Sequence, residues 1–139
     1  MPRIVIIEAR FYPEIADELL AGARRSLEAA GARHETLSVP GALEIPPAIR
    51  LSLGRADGFV ALGCVIRGET GHYDIVAGES ARGLMQLGLE HAVPIGNGIL
   101  TCETWDQAMV RARVGGQNKG GGAAEACLAL LHLKSPGAQ

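Results

Sequence analysis

Apolar and polar positions along the chain fall into two alternating kinds of pattern. Residues 3 to 9 (RIVIIEA) form a short β-branched run, 33 to 39 a second candidate strand, Phe59 to Ile66 a third, and Pro94 to Thr101 a fourth. The run from Phe59 to Ile66 contains no polar alternation, as required of a strand covered on both faces in a parallel sheet. Between these runs the spacing turns helical. Phe11-Tyr12-Pro13 breaks the first run, and Ile15, Leu19, Ala23 and Leu27 then share one helical face, closed by Gly31. Pro40 and Gly41 make a turn, and Pro46-Pro47 opens a short helix through Leu53. Asp57-Gly58 punctuates the third strand, a helix follows over 73 to 91, and Thr104 with Gln107 forms a capping box for another. Gly115-Gly116 separates that helix from a final one.

Strands alternating with helices imply right-handed crossovers. The expected fold is therefore α/β: a three-layer, flavodoxin-like arrangement with a four-stranded parallel sheet and helices on both faces, as a single domain over 1–139. The glycines cluster at element ends and follow no fixed period, so no solenoid is expected. The triplet at 120 to 122 is different, because each glycine at a helix start weakens the helix by roughly 1 kcal/mol relative to Ala. Close packing against a neighbouring backbone is the physical reason to keep them.

Composition narrows the partners. The net charge is -2 and no block of Lys or Arg stands out, which argues against a nucleic-acid footprint or an anionic membrane surface. With 47% hydrophobic and 20% charged residues the chain is expected to fold, and no long charge-free apolar segment suggests a membrane span. Cys64, Cys102 and Cys127 are odd in number, far apart and set in apolar surroundings. Reduced core thiols of a cytoplasmic protein fit them better than disulfides or a metal site. MPRIVIIEARF enters a strand pattern directly, so no export signal is expected. His34, His72, His91 and His132 lack the pairing that zinc ligands use, and no metal is expected. The run from Gly115 to Gly120 lacks the spacing and Ser/Thr of a phosphate-binding P-loop, so no nucleotide and no other cofactor is expected.

The segment ALGCVIRGETGHYD, from Ala61 to Asp74, carries the clearest chemistry. Ligands of open α/β sheets sit beyond the carboxyl ends of strands. There Gly68 and Gly71 let amide N–H groups approach a bound group, Thr70 adds a hydroxyl, and His72 supplies an imidazole that gives and takes protons near neutrality. A cradle for an anion with a proton-transfer group at its mouth is the reading these residues support. A tight turn before a helix, with a solvated His72, is the plainer alternative.

Four segments, ARFYPEIADELLAGA, VPGALEIPPAI, ALGCVIRGETGHYD and a tail in which ILT, QA and RA precede NKGGGAAEA, together resemble the lumazine synthase family. The resemblance extends from Ile4 to Leu133. It implies a transferase of riboflavin biosynthesis that condenses 5-amino-6-(D-ribitylamino)uracil with 3,4-dihydroxy-2-butanone 4-phosphate to give 6,7-dimethyl-8-ribityllumazine. By the same resemblance Phe11 stacks on the heterocycle, and Gly41, Ala42, Leu43 and Glu44 hold the ribityl hydroxyls. Val65, Ile66 and Arg67 meet the pyrimidine edge through main-chain groups, and Lys119 lies near its carbonyls. Glu69, Thr70 and Arg111 bind phosphate, and His72 transfers protons.

Two departures from the family pattern stand out. Asn97, within PIGNGIL, replaces a common aromatic, and Leu43 replaces a common Phe. Both remove ring surface and make a riboflavin- or lumazine-binding paralogue with little turnover the alternative function. The resemblance also implies a homo-oligomer: a pentamer whose sites are shared, with Phe11, Glu44 and His72 from one subunit and Asn97, Arg111 and Lys119 from its neighbour. A shell of sixty copies is the larger assembly the family forms. The short leading segment tilts the expectation toward the free pentamer.

Overall fold

The computed structural model describes residues 1–136, so the last three residues of the expected 1–139 unit lie outside the described part. Four strands, β1 (Arg3–Ala9), β2 (Arg33–Val39), β3 (Gly58–Ile66) and β4 (Ile95–Cys102), form one sheet in the order β2-β1-β3-β4. All neighbouring pairs are parallel. The crossovers are α1 (Pro13–Ala29), α2 (Ile45–Leu51) and α3 (His72–His91), and α4 (Trp105–Ala112) and α5 (Lys119–Lys134) follow β4. This is the expected α/β, flavodoxin-like architecture.

Side-chain alternation in the strands divides the interior into two cores. Ile4 and Ile6 of β1 and Val60 and Leu62 of β3 meet α1, α4 and α5 on one face. On the other, Val5, Ile7, Phe59 and Ala61 meet α2 and α3. A strand that faces both cores has no room for polar residues, which explains the unbroken apolar run of β3.

Several boundaries differ from expectation for identifiable reasons. The short helix begins at Ile45 and ends at Leu51, two residues before the expected Leu53, and a 3-10 turn over Ala42–Glu44 precedes it. Pro46 and Pro47 occupy its first positions, where their missing N–H groups cost no hydrogen bond. At α4, Thr104 Oγ1 accepts from Gln107 N at 3.2 Å, but the Gln107 side chain accepts from Glu103 N, one residue before the cap. The capping box is therefore shifted by one residue.

The Gly120 to Gly122 triplet begins α5 where that helix crosses α1. A Cβ on Gly120 would overlap the Leu19 carbonyl, and one on Gly96 of β4 would overlap the Ala123 carbonyl. These backbones touch, so the seam excludes side chains. Cys102 and Cys127 are buried, whereas Cys64 is only half-buried. Burial pushes the Cys64 and Cys127 thiols up to about 12, which keeps both neutral.

Candidate active site

Because every strand runs the same way, the carboxyl ends of β2, β1 and β3 lie side by side, and the segments leaving them form one surface. From β1 comes Phe11, 72% exposed, touched edge-on by Tyr12 at a centroid distance of 4.9 Å. From β2 comes the turn Gly41 to Glu44, where Glu44 N donates to Gly41 O and the Glu44 carboxylate lies close against Gly41. Beyond β3 come Arg67, Glu69, Thr70 and His72, all exposed. Ala42, Val65 and Val76 make a small apolar cluster beneath the last two segments, with Tyr73 and Ile99 against it. That cluster couples the β2 turn to α3.

The loop after β3 is organised by a few polar contacts. Thr70 Oγ1 accepts from His72 N at 3.2 Å. A hydroxyl has one proton and two acceptor sites, so this bond leaves the Thr70 proton free to donate. Gly71 supplies no side-chain cap and Thr70 takes only the His72 N–H, so the next amides of α3 keep donor capacity, and a helix N-terminus with free amides favours an anion. The two glycines of the loop, Gly68 and Gly71, have open space where a Cβ would stand. Here, then, is a turn with a free hydroxyl donor, free amides and an imidazole at the first helical position.

Arg67 fastens this loop to its surroundings. Its Nε donates to both Glu103 oxygens, at 2.9 and 3.2 Å, its Nη1 lies 3.6 Å from Asp74, and its guanidinium sits 4.3 Å from the Tyr73 ring centroid. The bond to Glu103 foremost, with smaller contributions from Glu103 and Asp74 charge, raises its already high pKa. Its backbone N donates to Cys102 O at 2.9 Å, extending the β3–β4 ladder by one bond.

Three of the expected residues lie elsewhere in the chain. Ile66 pairs with Cys102, while Asn97 pairs with Ala61, five residues lower on β4. At about 3.3 Å per residue this places Asn97 about 16 Å below the strand end where the β3 loop begins. Its Oδ1 accepts from Ile99 N at 2.9 Å on the free edge of β4. Lys119 opens α5, beside Gly120, which rests on Leu19 in the interior of α1. Arg111, half-buried on α4, donates from Nη1 to Gln107 O at 3.0 Å, and its other donors have no partner among the described residues.

Asn97 also lines a groove of about 640 Å³ between α3 and α5 along the β4 edge, with Leu84, Met85, Leu89, Leu130 and Leu133. Met85, Leu89 and Leu133 are each more than 60% exposed, so this surface is apolar and open. Contiguous apolar surface of this kind marks an interaction face.

One arrangement escaped the sequence reading. Glu8, buried in β1, accepts from Arg10 Nη1 at 2.9 Å and from Ser38 Oγ at 3.0 Å. The signal was present: Glu8 is the one acidic residue in the otherwise apolar run IVIIEA. No group of three or more His, Cys, Asp or Glu side chains is placed to hold a metal ion among the described residues. Likewise, none of the described helices is long and apolar enough to cross a membrane.

Residues 1–135 match the family model described as 6,7-dimethyl-8-ribityllumazine synthase. A protein of that name from Methylobacterium radiotolerans is 66% identical over 134 residues, covering 95% of this chain and 82% of the relative. Another from Methylorubrum extorquens strain PA1 is 61% identical over 139 residues, covering 95% of this chain and 80% of its own. A third, from Agrobacterium fabrum, is 54% identical over 140 residues, covering 96% and 95%.

Proposed function

The chain belongs to the 6,7-dimethyl-8-ribityllumazine synthase family, and from that premise we propose how its residues share the reaction. The enzyme condenses 5-amino-6-(D-ribitylamino)uracil with 3,4-dihydroxy-2-butanone 4-phosphate to form 6,7-dimethyl-8-ribityllumazine, the penultimate step of riboflavin biosynthesis. Its relatives carry the synthase name, and nothing favours a paralogue that binds without turnover.

Both substrates are intrinsically reactive, so the protein's task is to hold them together and move protons. The 5-amino group attacks the ketone carbon, and water leaves to give an imine. Inorganic phosphate departs by elimination, and the ribitylamino nitrogen closes the ring on the remaining carbonyl with loss of a second water. Phe11 stacks on the pyrimidine, and Val65, Ile66 and Arg67 offer main-chain groups to its edge. Gly41, Ala42, Leu43 and Glu44 take the ribityl chain. The free Thr70 proton, the amides that follow Glu69 and Arg111 hold the phosphate, where charge-assisted and bidentate hydrogen bonds are strongest. His72 relays protons between the attacking amine and the departing groups. Orienting two reactants alone lowers the barrier by several kcal/mol, so most of the acceleration is positional.

One observation supports this assignment: a turn with a free hydroxyl donor, unbonded helix amides and His72 follows β3, and the exposed Phe11 follows β1, the strand paired with it in parallel. Asn97, Arg111 and Lys119 then act on the site of an adjacent copy in a homopentamer. The apolar groove along the free β4 edge supports such a contact, and so does the distance of Asn97 from the β3 loop of its own chain. The test is turnover of the two substrates, followed by lumazine absorbance, with light scattering on the same sample. Lumazine formation by a pentamer, and none by a monomer, is the expected result. An active monomer would contradict the shared site.

A further inference from the structure

Glu8 lies in β1 one position from its end, 4% exposed and on the face that Ile4 and Ile6 give to the α1 core. An apolar side chain there would serve the core better, because a buried carboxylate loses its hydration and is tolerated only when paired. Its partners are specific. Ser38 Oγ on β2 donates to one oxygen at 3.0 Å and Arg10 Nη1 to the other at 2.9 Å. The second Arg10 amino group donates to Asp17 of α1 and to the Pro13 carbonyl at 3.4 Å.

Arg10 thus joins the end of β1 to the first turn of α1, across the two residues Phe11 and Tyr12. Phe11 itself has little to hold it: it is 72% exposed, and its one aromatic contact is the Tyr12 edge, 75° from its plane. Tyr12 in turn rests on the α1-side core. With so few contacts of its own, the Phe11 ring stands where residues 10 to 13 put it.

We propose that Glu8 and Arg10 are positioning residues for the pyrimidine substrate: their ion pair fixes the β1–α1 corner and so the height and tilt of the Phe11 ring. This rests on the assignment of Phe11 as the stacking residue. Ser38 carries the constraint to β2, whose end leads into the turn assigned to the ribityl chain, so one buried carboxylate sets two parts of the pyrimidine site relative to each other. The phosphorylated substrate lies beyond β3 and is outside its reach.

Steady-state kinetics on the full-length Arg10→Met, Phe11→Ala and doubly substituted proteins tests the proposal, with Glu8→Gln as an isosteric check. Arg10→Met keeps the aliphatic stem, so it retains packing while losing every polar contact. The expected result is a KM for the pyrimidine about tenfold higher, since misplacement by a fraction of an ångström is enough, with the KM for the butanone phosphate within about twofold. In the Phe11→Ala background the same change should add less than about twofold, because the ring it positions is gone. Arg10→Lys, which reaches Glu8 but not Asp17 and Pro13 together, should recover only part of the loss. Equal increases for both substrates, or full additivity with Phe11→Ala, would reduce the clasp to a stability device and overturn the proposal. So would an unchanged pyrimidine KM in Arg10→Met when Phe11→Ala raises it. If Phe11→Ala itself leaves that KM unchanged, the stacking assignment falls, and the clasp's role with it.

Discussion

Two glycine-rich regions of this molecule use the same residue for opposite ends. In the seam where α5 crosses α1 and β4, Gly120 and Gly96 sit against the carbonyls of Leu19 and Ala123, so a single methyl group would have to displace backbone. In the loop after β3, Gly68 and Gly71 face open space. The seam glycines bring backbones together and serve the fold. The loop glycines leave room beside free amides, which is what the proposed phosphate site requires. Stability and activity should therefore respond to mutation in different places.

The largest expected effect lies in the seam. Gly120→Ala should destabilise the fold by on the order of 3 kcal/mol, since overpacking against backbone cannot be relieved by turning a side chain. Chemical denaturation measures it, and a stability unchanged within error would mean that the seam is not close-packed. Next is His72→Ala, which should lower kcat by about a hundredfold without abolishing turnover, because positioning persists when the proton relay is lost. Complete loss of turnover with substrate binding intact would show the imidazole doing more than relaying protons.

Arg111→Ala should follow, raising KM for the butanone phosphate by about tenfold and leaving the pyrimidine KM nearly unchanged, as expected from the loss of a charge-assisted contact. An unchanged phosphate KM would remove Arg111 from the site. The smallest effect on stability belongs to the loop. Gly68→Ala should change it by less than about 0.5 kcal/mol, because no atom lies where the methyl group would go. A loss comparable to that of Gly120→Ala would erase the distinction between the two regions.

Much of the architecture could be read from the chain because its signals are local. The unbroken apolar run of β3, the helical face of Ile15, Leu19, Ala23 and Leu27, and the Thr104 cap each depend on neighbours in sequence. Even the seam left a trace, since three glycines at a helix start are unfavourable without a tertiary reason. Glu8 showed as the one acidic residue in an apolar run, but its partners were not legible: Ser38 is thirty residues away, and nothing local says that Arg10 turns back toward β1 rather than to solvent. The loop from Gly68 to His72 was legible as a glycine-rich turn carrying a hydroxyl and an imidazole. Where Asn97 and Lys119 stand relative to it was not, because that depends on how far down β4 and α1 they fall.

In the proposed pentamer two neighbouring chains complete each site, with His72 from one and Arg111 from the other. Co-expressing the His72→Ala and Arg111→Ala proteins tests it directly, since random mixing in a ring restores an intact pair at about a quarter of the interfaces. The mixed oligomer should recover about that fraction of wild-type turnover at limiting phosphate substrate, well above either parent. Activity no higher than the average of the two parents would show that each chain holds both residues in its own site, and the shared site would be wrong.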